Sequence, residues 1–170
     1  ISAWKDTELL VLGDTIVDQY AACEALGMSA EAPIVVVKEL NSKNFIGGAA
    51  VVASHIKNLG AKCHLLSIVG NDDISDLVRD HLKLFGVGDL LITDNTRPTT
   101  FKKRYLVENQ KLFRVSRLND HYLNKEIEIK IIKKLEEISP NVHGIVISDF
   151  VYGVITPKII TKIIQLSKKY

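Results

Sequence analysis

The sequence predicts an α/β fold built on a parallel sheet, with a small antiparallel sheet attached. Short apolar strand segments alternate with helical segments through much of the chain, the pattern of a layered parallel sheet. Two segments, 33–46 and 99–116, break that alternation and read as paired strands around turn signals. The chain has 170 residues, 46% hydrophobic and 25% charged, which suffices for one domain with a real core.

Each element has its own warrant. Glu8-Leu9-Leu10-Val11-Leu12-Gly13, apolar from Leu9 to Leu12, reads as a buried strand ending in a turn. Pro33-Ile34-Val35-Val36-Val37-Lys38 opens after a proline, a position edge strands tolerate. Asn41-Ser42-Lys43-Asn44 is turn-forming, so Phe45-Ile46 is expected to return as its hairpin partner. Ala49 to Leu59 is an alanine-rich helix closed by Gly60. Lys62 to Gly70 is a strand, and Asp72-Asp73 open a helix to Phe85 with acidic residues in its first turn. Residues 99–107 and 111–116 form a hairpin joined by Glu108-Asn109-Gln110. Asn124 to Ile138 is an amphipathic helix, Gly144 to Ser148 a buried strand, and a last helix starts near Thr156-Pro157. The chain carries no internal repeat or low-complexity stretch.

Composition excludes several classes. A net charge of +2 without a long basic run gives no case for nucleic acid. The apolar runs are too short to span a membrane, and the start of the sequence has no basic-then-apolar signal pattern. Cys23 and Cys63 lie far apart with no Cys-x-x-Cys spacing, which fits a reducing, cytoplasmic location. His55, His64, His81, His121 and His143 have no metal-ligand spacing.

Three constellations could carry chemistry. Asp14 and Asp18 follow the first strand, at the carboxyl end where α/β folds bind ligands. A carboxylate there suits vicinal sugar hydroxyls, although Asp14 also fits a turn cap and Asp18 a solvated side chain. Gly47-Gly48 joins a strand to a helix and brings backbone N–H groups close to whatever lies there, or simply fills a tight turn. It lacks both the Lys-Ser/Thr ending of a P-loop and the third glycine of a dinucleotide fold. On the hairpin, Lys102 and Arg104 share a face, with Lys103 and Arg114 nearby and Asn109-Gln110 at the turn. Such cations can clamp a phosphate or merely protect an edge strand. Gly86-Val87-Gly88-Asp89 has a Gly-x-Gly-Asp form, but Leu90-Leu91-Ile92-Thr93 follows and reads as a strand, so no helix N-terminus stands behind it.

Taken in order, these residues resemble the N-terminal half of the PfkB-type, ribokinase-like carbohydrate kinases, and most closely the bacterial D-glycero-D-manno-heptose 7-phosphate kinases. The resemblance runs through Gly13-Asp14, Asp18, Tyr20, Glu31-Ala32-Pro33, Gly47-Gly48-Ala49-Ala50, Leu59-Gly60-Ala61 and Gly70 with Asp72-Asp73. It continues through Pro98-Thr99, Lys102, Arg104, Asn109-Gln110, Arg114, Ser148-Asp149-Phe150 and Gly153, covering nearly the whole chain.

The resemblance implies part of a three-layer α/β sandwich with a projecting β lid, and ATP-dependent, Mg²⁺-assisted transfer of phosphate to a sugar hydroxyl. It implies that Asp14, Asp18 and Asp149 belong to the sugar site, that Gly47-Gly48 lies under the sugar, and that Lys102, Arg104, Asn109 and Arg114 are lid contacts. Pairing of lids into a homodimer is also implied. Two departures stand out: Val51 occupies the place of an asparagine that bonds sugar, and Tyr152 the place of a lysine. The family's catalytic Gly-Ala-Gly-Asp and its nucleotide site lie in a C-terminal half. The expectation is therefore a sugar site and lid without an ATP site, inactive as these 170 residues alone. A non-catalytic sugar-binding or dimerisation module and a nucleoside kinase relative are the alternatives.

Overall fold

The structure, a computed structural model, describes residues 4–170. A parallel sheet forms its centre: β1 (Glu8–Gly13), β4 (Lys62–Leu66), β6 (Gly88–Asp89) and β10 (Gly144–Ser148) lie in the order β10-β1-β4-β6. Two short strands, β5 (Ile68–Val69) and β7 (Ile92–Thr93), prolong β4 and β6 in parallel beyond a break at Ser67. The strand expected over Lys62–Gly70 is thus interrupted once. At the break, the Ser67 hydroxyl turns inward and donates to the Gly13 carbonyl at 2.6 Å.

Helices cover both faces. α1 (Gly48–Asn58) and α2 (Asp73–Phe85) pack on one side through Ala49, Ala50, Ala53, Val78 and Leu82 against Val11, Cys63 and Leu65. α3 (Lys125–Ile138) and α4 (Pro157–Lys169) pack on the other through Ile127, Ile131, Leu135, Ile159 and Ile163 against Leu10 and Leu12. Alternate residues of β1 therefore face opposite helical layers, which is why it is apolar from Leu9 to Leu12. Burying each such aliphatic side chain contributes roughly 1.5–3 kcal/mol. The helix starts are capped by side chains: Asp72 accepts from the Ser75 N–H at 3.0 Å, Asn124 from Ile127 at 2.9 Å and Thr156 from Ile159 at 3.2 Å. Gly86 closes α2 with a left-handed φ of 66°.

The attached sheet differs from the expectation in two respects. It has four strands in the order β3-β2-β8-β9, with β2 (Thr15–Met28), β3 (Val35–Gly47), β8 (Phe101–Val107) and β9 (Gln110–Arg117). β2 was not expected as a strand, and it pairs parallel with β8, so the sheet is mixed rather than antiparallel. Nor do Asn41–Asn44 turn: β3 runs straight through them and pairs antiparallel with β2 along its length. These polar residues lie exposed on an edge strand, where side chains need no core partner and the long β2 ladder outweighs local turn preference. The β8–β9 hairpin turns on Glu108 and Asn109 alone, with φ of 48° and 68°, as a two-residue turn requires.

Candidate functional site

The attached sheet, the expected lid, meets the start of α1 around Asp18. β2 alternates so that Asp18, Tyr20 and Ala22 line one cavity of about 870 Å³, together with Phe45 and Lys43 of β3 and Leu106 of β8. The Asp18 carboxylate stands over Gly47, where a Cβ would come 3.4 Å from its Oδ2. Its Oδ1 is ion-paired with Arg104, the side chains being 25% and 18% exposed. Arg104 also lies over the Tyr20 ring, its Cζ 5.3 Å from the centroid, and Tyr20 meets Phe45 edge to face at 5.5 Å.

Gly48 has a structural reason of its own. Its φ is 61°, and a Cβ there would run into the Asp14 carbonyl, which accepts from the Ala49 N–H at 2.9 Å. The glycine pair thus lets α1 start hard against the β1–β2 junction and leaves Gly47 bare beneath Asp18.

Asp14 lies apart from this cavity. It is 1% exposed, and its carboxylate accepts the backbone N–H groups of Phe150, Tyr152 and Val154 at 2.8, 3.2 and 3.2 Å. Burial pushes its carboxyl above the ordinary range, against the pull of those three donors and helped by nearby Asp149. Asp14 therefore anchors the loop after β10. Asp149 lies in that loop and accepts from the Val151 N–H at 2.8 Å. Neither aspartate lines the lid cavity.

The other expected residues are spread around this centre. Lys102 pairs directly opposite Asp18, but its Nζ sits 4.9 Å above the Tyr152 ring, linking the lid to the loop after β10. Arg114 is opposite Arg104 on β9 and exposed, while Asn109 borders the cavity from the hairpin turn. Val51 is half-buried in the first turns of α1 and offers no polar atom beyond its backbone. The structure thus gathers Asp18, Gly47, Lys102 and Arg104 into one locus, with Asn109 and Arg114 further along the lid.

A model of the pfkB family carbohydrate kinases matches residues 6–169. The chain belongs to this family. It is 33% identical over 162 residues to the bifunctional protein HldE of Campylobacter jejuni and 32% identical over 167 residues to that of Helicobacter hepaticus. Those alignments cover 95% and 96% of the chain but 33% and 34% of the relatives, so the chain spans about a third of their length. Among solved structures it is similar to phosphofructokinase-2 from Escherichia coli in complex with fructose-6-phosphate. That match has a TM-score of 0.69 at 16% identity and covers 96% of this chain and 51% of the other. A carbohydrate kinase from Agrobacterium tumefaciens matches with a TM-score of 0.53 at 17% identity over 74% of this chain and 42% of the other. At such identities the similarity speaks for the fold.

Within this pfkB-family chain, Gly86-Val87-Gly88-Asp89 leaves α2 and enters β6, so it heads no helix. Gly88 makes room for the His64 ring, and Asp89 binds Arg79 at 2.6 Å. Sequence reasoning missed the support behind the site. Arg97, 9% exposed, donates to Asp94 at 3.1 Å and to the carbonyls of Tyr152 and His121 at 3.2 Å each. Asp72, besides capping α2, accepts from the Thr99 N–H at 2.9 Å and hydroxyl at 2.7 Å, which fixes the entry into β8. An Asp-x-Thr turn at Asp94, whose carboxylate accepts the Thr96 N–H at 2.9 Å, was the one local signal available. Lys43 and Tyr20 were also missed as cavity residues, although Asp18, Tyr20 and Ala22 have period-two spacing.

Proposed function

We propose that this chain is the sugar-binding and lid portion of an ATP-dependent kinase whose substrate is a heptose 7-phosphate or a close analogue. The observation that carries the reading is the placement of the Asp18 carboxylate over bare Gly47, beneath a lid that presents Lys102 and Arg104. A carboxylate acceptor suits vicinal hydroxyls, and guanidinium and ammonium donors suit a phosphate already on the sugar. The heptose assignment draws on the resemblance of the ordered motifs and on the similarity to HldE proteins. On this reading residues 1–170 comprise one part of a ribokinase-like domain, with β2, β3, β8 and β9 as its lid.

ATP and Mg²⁺ would supply the transferable phosphate and its charge neutralisation. The described residues contain no cluster of three or more His, Cys, Asp or Glu that could hold a metal ion. No phosphoryl-transfer step is assigned to residues of this chain, and the chain alone is proposed to bind sugar phosphate without phosphorylating it. No helix among the described residues is long and apolar enough to cross a membrane. The lid leaves Leu112, Phe113 and Val115 of β9 44–54% exposed, which favours pairing with a second lid. Sedimentation of the chain as a monomer at micromolar concentration would count against that pairing.

Calorimetric titration of the chain with D-glycero-D-manno-heptose 7-phosphate tests the central reading. Saturable binding is expected, lost in a Lys102→Ala/Arg104→Ala variant; parent-like affinity in that variant overturns the clamp. Transfer from ATP to a sugar by the chain alone overturns its proposed inactivity.

A further inference from the structure

We infer that the Asp18–Arg104 ion pair is a counter-charge gate: it makes the lid site select anionic sugars and reject their neutral counterparts. The inference rests on the sugar reading above for the identity of the ligand, but its electrostatic core stands on the lid alone.

The register shows the pairing to be diagonal. The residue directly opposite Asp18 on β8 is Lys102, and the residue opposite Arg104 on β2 is Tyr20. Lys102 nevertheless spends its charge on the Tyr152 ring, and Arg104 reaches across to Asp18. One strand row then reads Lys43, Tyr20, Arg104, Arg114 across β3, β2, β8 and β9, placing three cations on the cavity face. Among the described residues, Asp18 is the one carboxylate ion-paired with any of them.

A neutral sugar that takes the Asp18 carboxylate for its hydroxyls must displace Arg104. The guanidinium would then be left in a partly buried setting without a counter-ion, with Arg114 directly opposite and Lys43 two strands away in the same row. An anionic sugar avoids this. Its hydroxyls take Asp18 while its phosphate takes Arg104, so both partners of the ion pair are exchanged at once. Tyr20 holds the guanidinium plane during the exchange through its ring face. Selectivity in this scheme comes from an internal competitor, Asp18, that only another anion can replace.

The first arm of the test uses inorganic phosphate at low ionic strength, titrated by calorimetry, and needs no sugar. Asp18→Asn removes the competitor and should raise phosphate affinity by about threefold or more. Glu39→Gln removes the same charge from the Lys103 pair on the opposite face and should leave affinity at the parent value. Unchanged or weaker phosphate binding in Asp18→Asn overturns the gate, as does an equal rise in Glu39→Gln. The second arm compares heptose 7-phosphate with the same heptose lacking phosphate. The parent should prefer the phosphorylated form by at least about tenfold, and Arg104→Gln should cut that ratio to about threefold or less while retaining the neutral sugar. An unchanged ratio in Arg104→Gln overturns the gate. If the first arm behaves as expected but neither sugar binds, the gate is supported and the sugar reading fails.

Discussion

Asp94 and Arg97 form an ion pair at 3.1 Å whose side chains are 1% and 6% exposed, three residues apart in the segment that leads into the lid. The same guanidinium binds carbonyls of two other loops, so it ties the base of the lid to the residues around Asp14. Removing one member of such a pair leaves a buried charge and orphaned carbonyls. Arg97→Met should therefore cost about 3–5 kcal/mol in urea unfolding. A loss below about 1 kcal/mol would show that the cluster is not what fixes these loops.

His81 predicts an acid-side loss of stability. Its Nε2 lies 2.8 Å from the Ser54 hydroxyl, which itself donates to the Ala50 carbonyl, so the imidazole N–H is the donor in that contact. Burial lowers its pKa below the ordinary 6.5, so the folded state binds fewer protons than the unfolded state as pH falls through that value. The stabilisation is complete above about 6.5 and declines below it. Urea midpoints compared between pH 7.5 and 5.5 should fall more steeply for the parent than for His81→Gln. Parallel slopes would refute the assignment.

Val151 holds a φ of 63°, in the left-handed region that β-branched residues avoid, and it is 76% exposed. Exposure leaves little packing to lose on truncation. Val151→Gly should raise stability by about 0.5–1 kcal/mol, because relief of roughly 1–2 kcal/mol of backbone strain exceeds glycine's added unfolded-state entropy. A lowered melting temperature would mean that the side chain contributes a contact that outweighs the strain.

Gly47 and Gly48 should separate when each is changed to alanine. Gly48→Ala forces a Cβ into the Asp14 carbonyl at a φ of 61° and should destabilise the fold by about 2 kcal/mol or more. Gly47 has an ordinary φ of −130°, and its new Cβ would meet the Asp18 carboxylate at 3.4 Å. Gly47→Ala should melt near the parent yet bind heptose 7-phosphate at least about tenfold more weakly. Equal binding by Gly47→Ala and the parent would remove Gly47 from the floor of the site.

The layered core was legible because its signals are local. The apolar β1, the Asp72, Asn124 and Thr156 caps, and Gly86 each announce themselves within a few residues. β2 was not legible: Ala21, Ala22 and Ala25 have weak strand preference, and its state is decided by partners on β3 and β8. Asn41–Asn44 misled for the complementary reason, being turn formers held extended at an exposed edge. At the site, Asp18 and Gly47-Gly48 stood out from sequence position, whereas the swap of partners between Lys102 and Arg104 depends on Tyr152 and Tyr20. Of the Asp94–Arg97 cluster, the Asp-x-Thr turn alone is local, since the carbonyls that Arg97 binds come from residues 121 and 152.

The parallel pairing of β2 with β8 joins residues as far apart as Val17 and Phe101, with α1, α2 and the strands between them intervening. Closing so long a loop is entropically slow, and nothing local prepays it. The wall of the cavity, like the still more distant β1–β10 pairing of the core, should therefore form only after the local helices. Ligand binding through Asp18 and Arg104, as proposed above, would then appear only after the helical signal has recovered in a refolding experiment. The cavity is in this sense a timer, recording when the two distant halves of its wall have met.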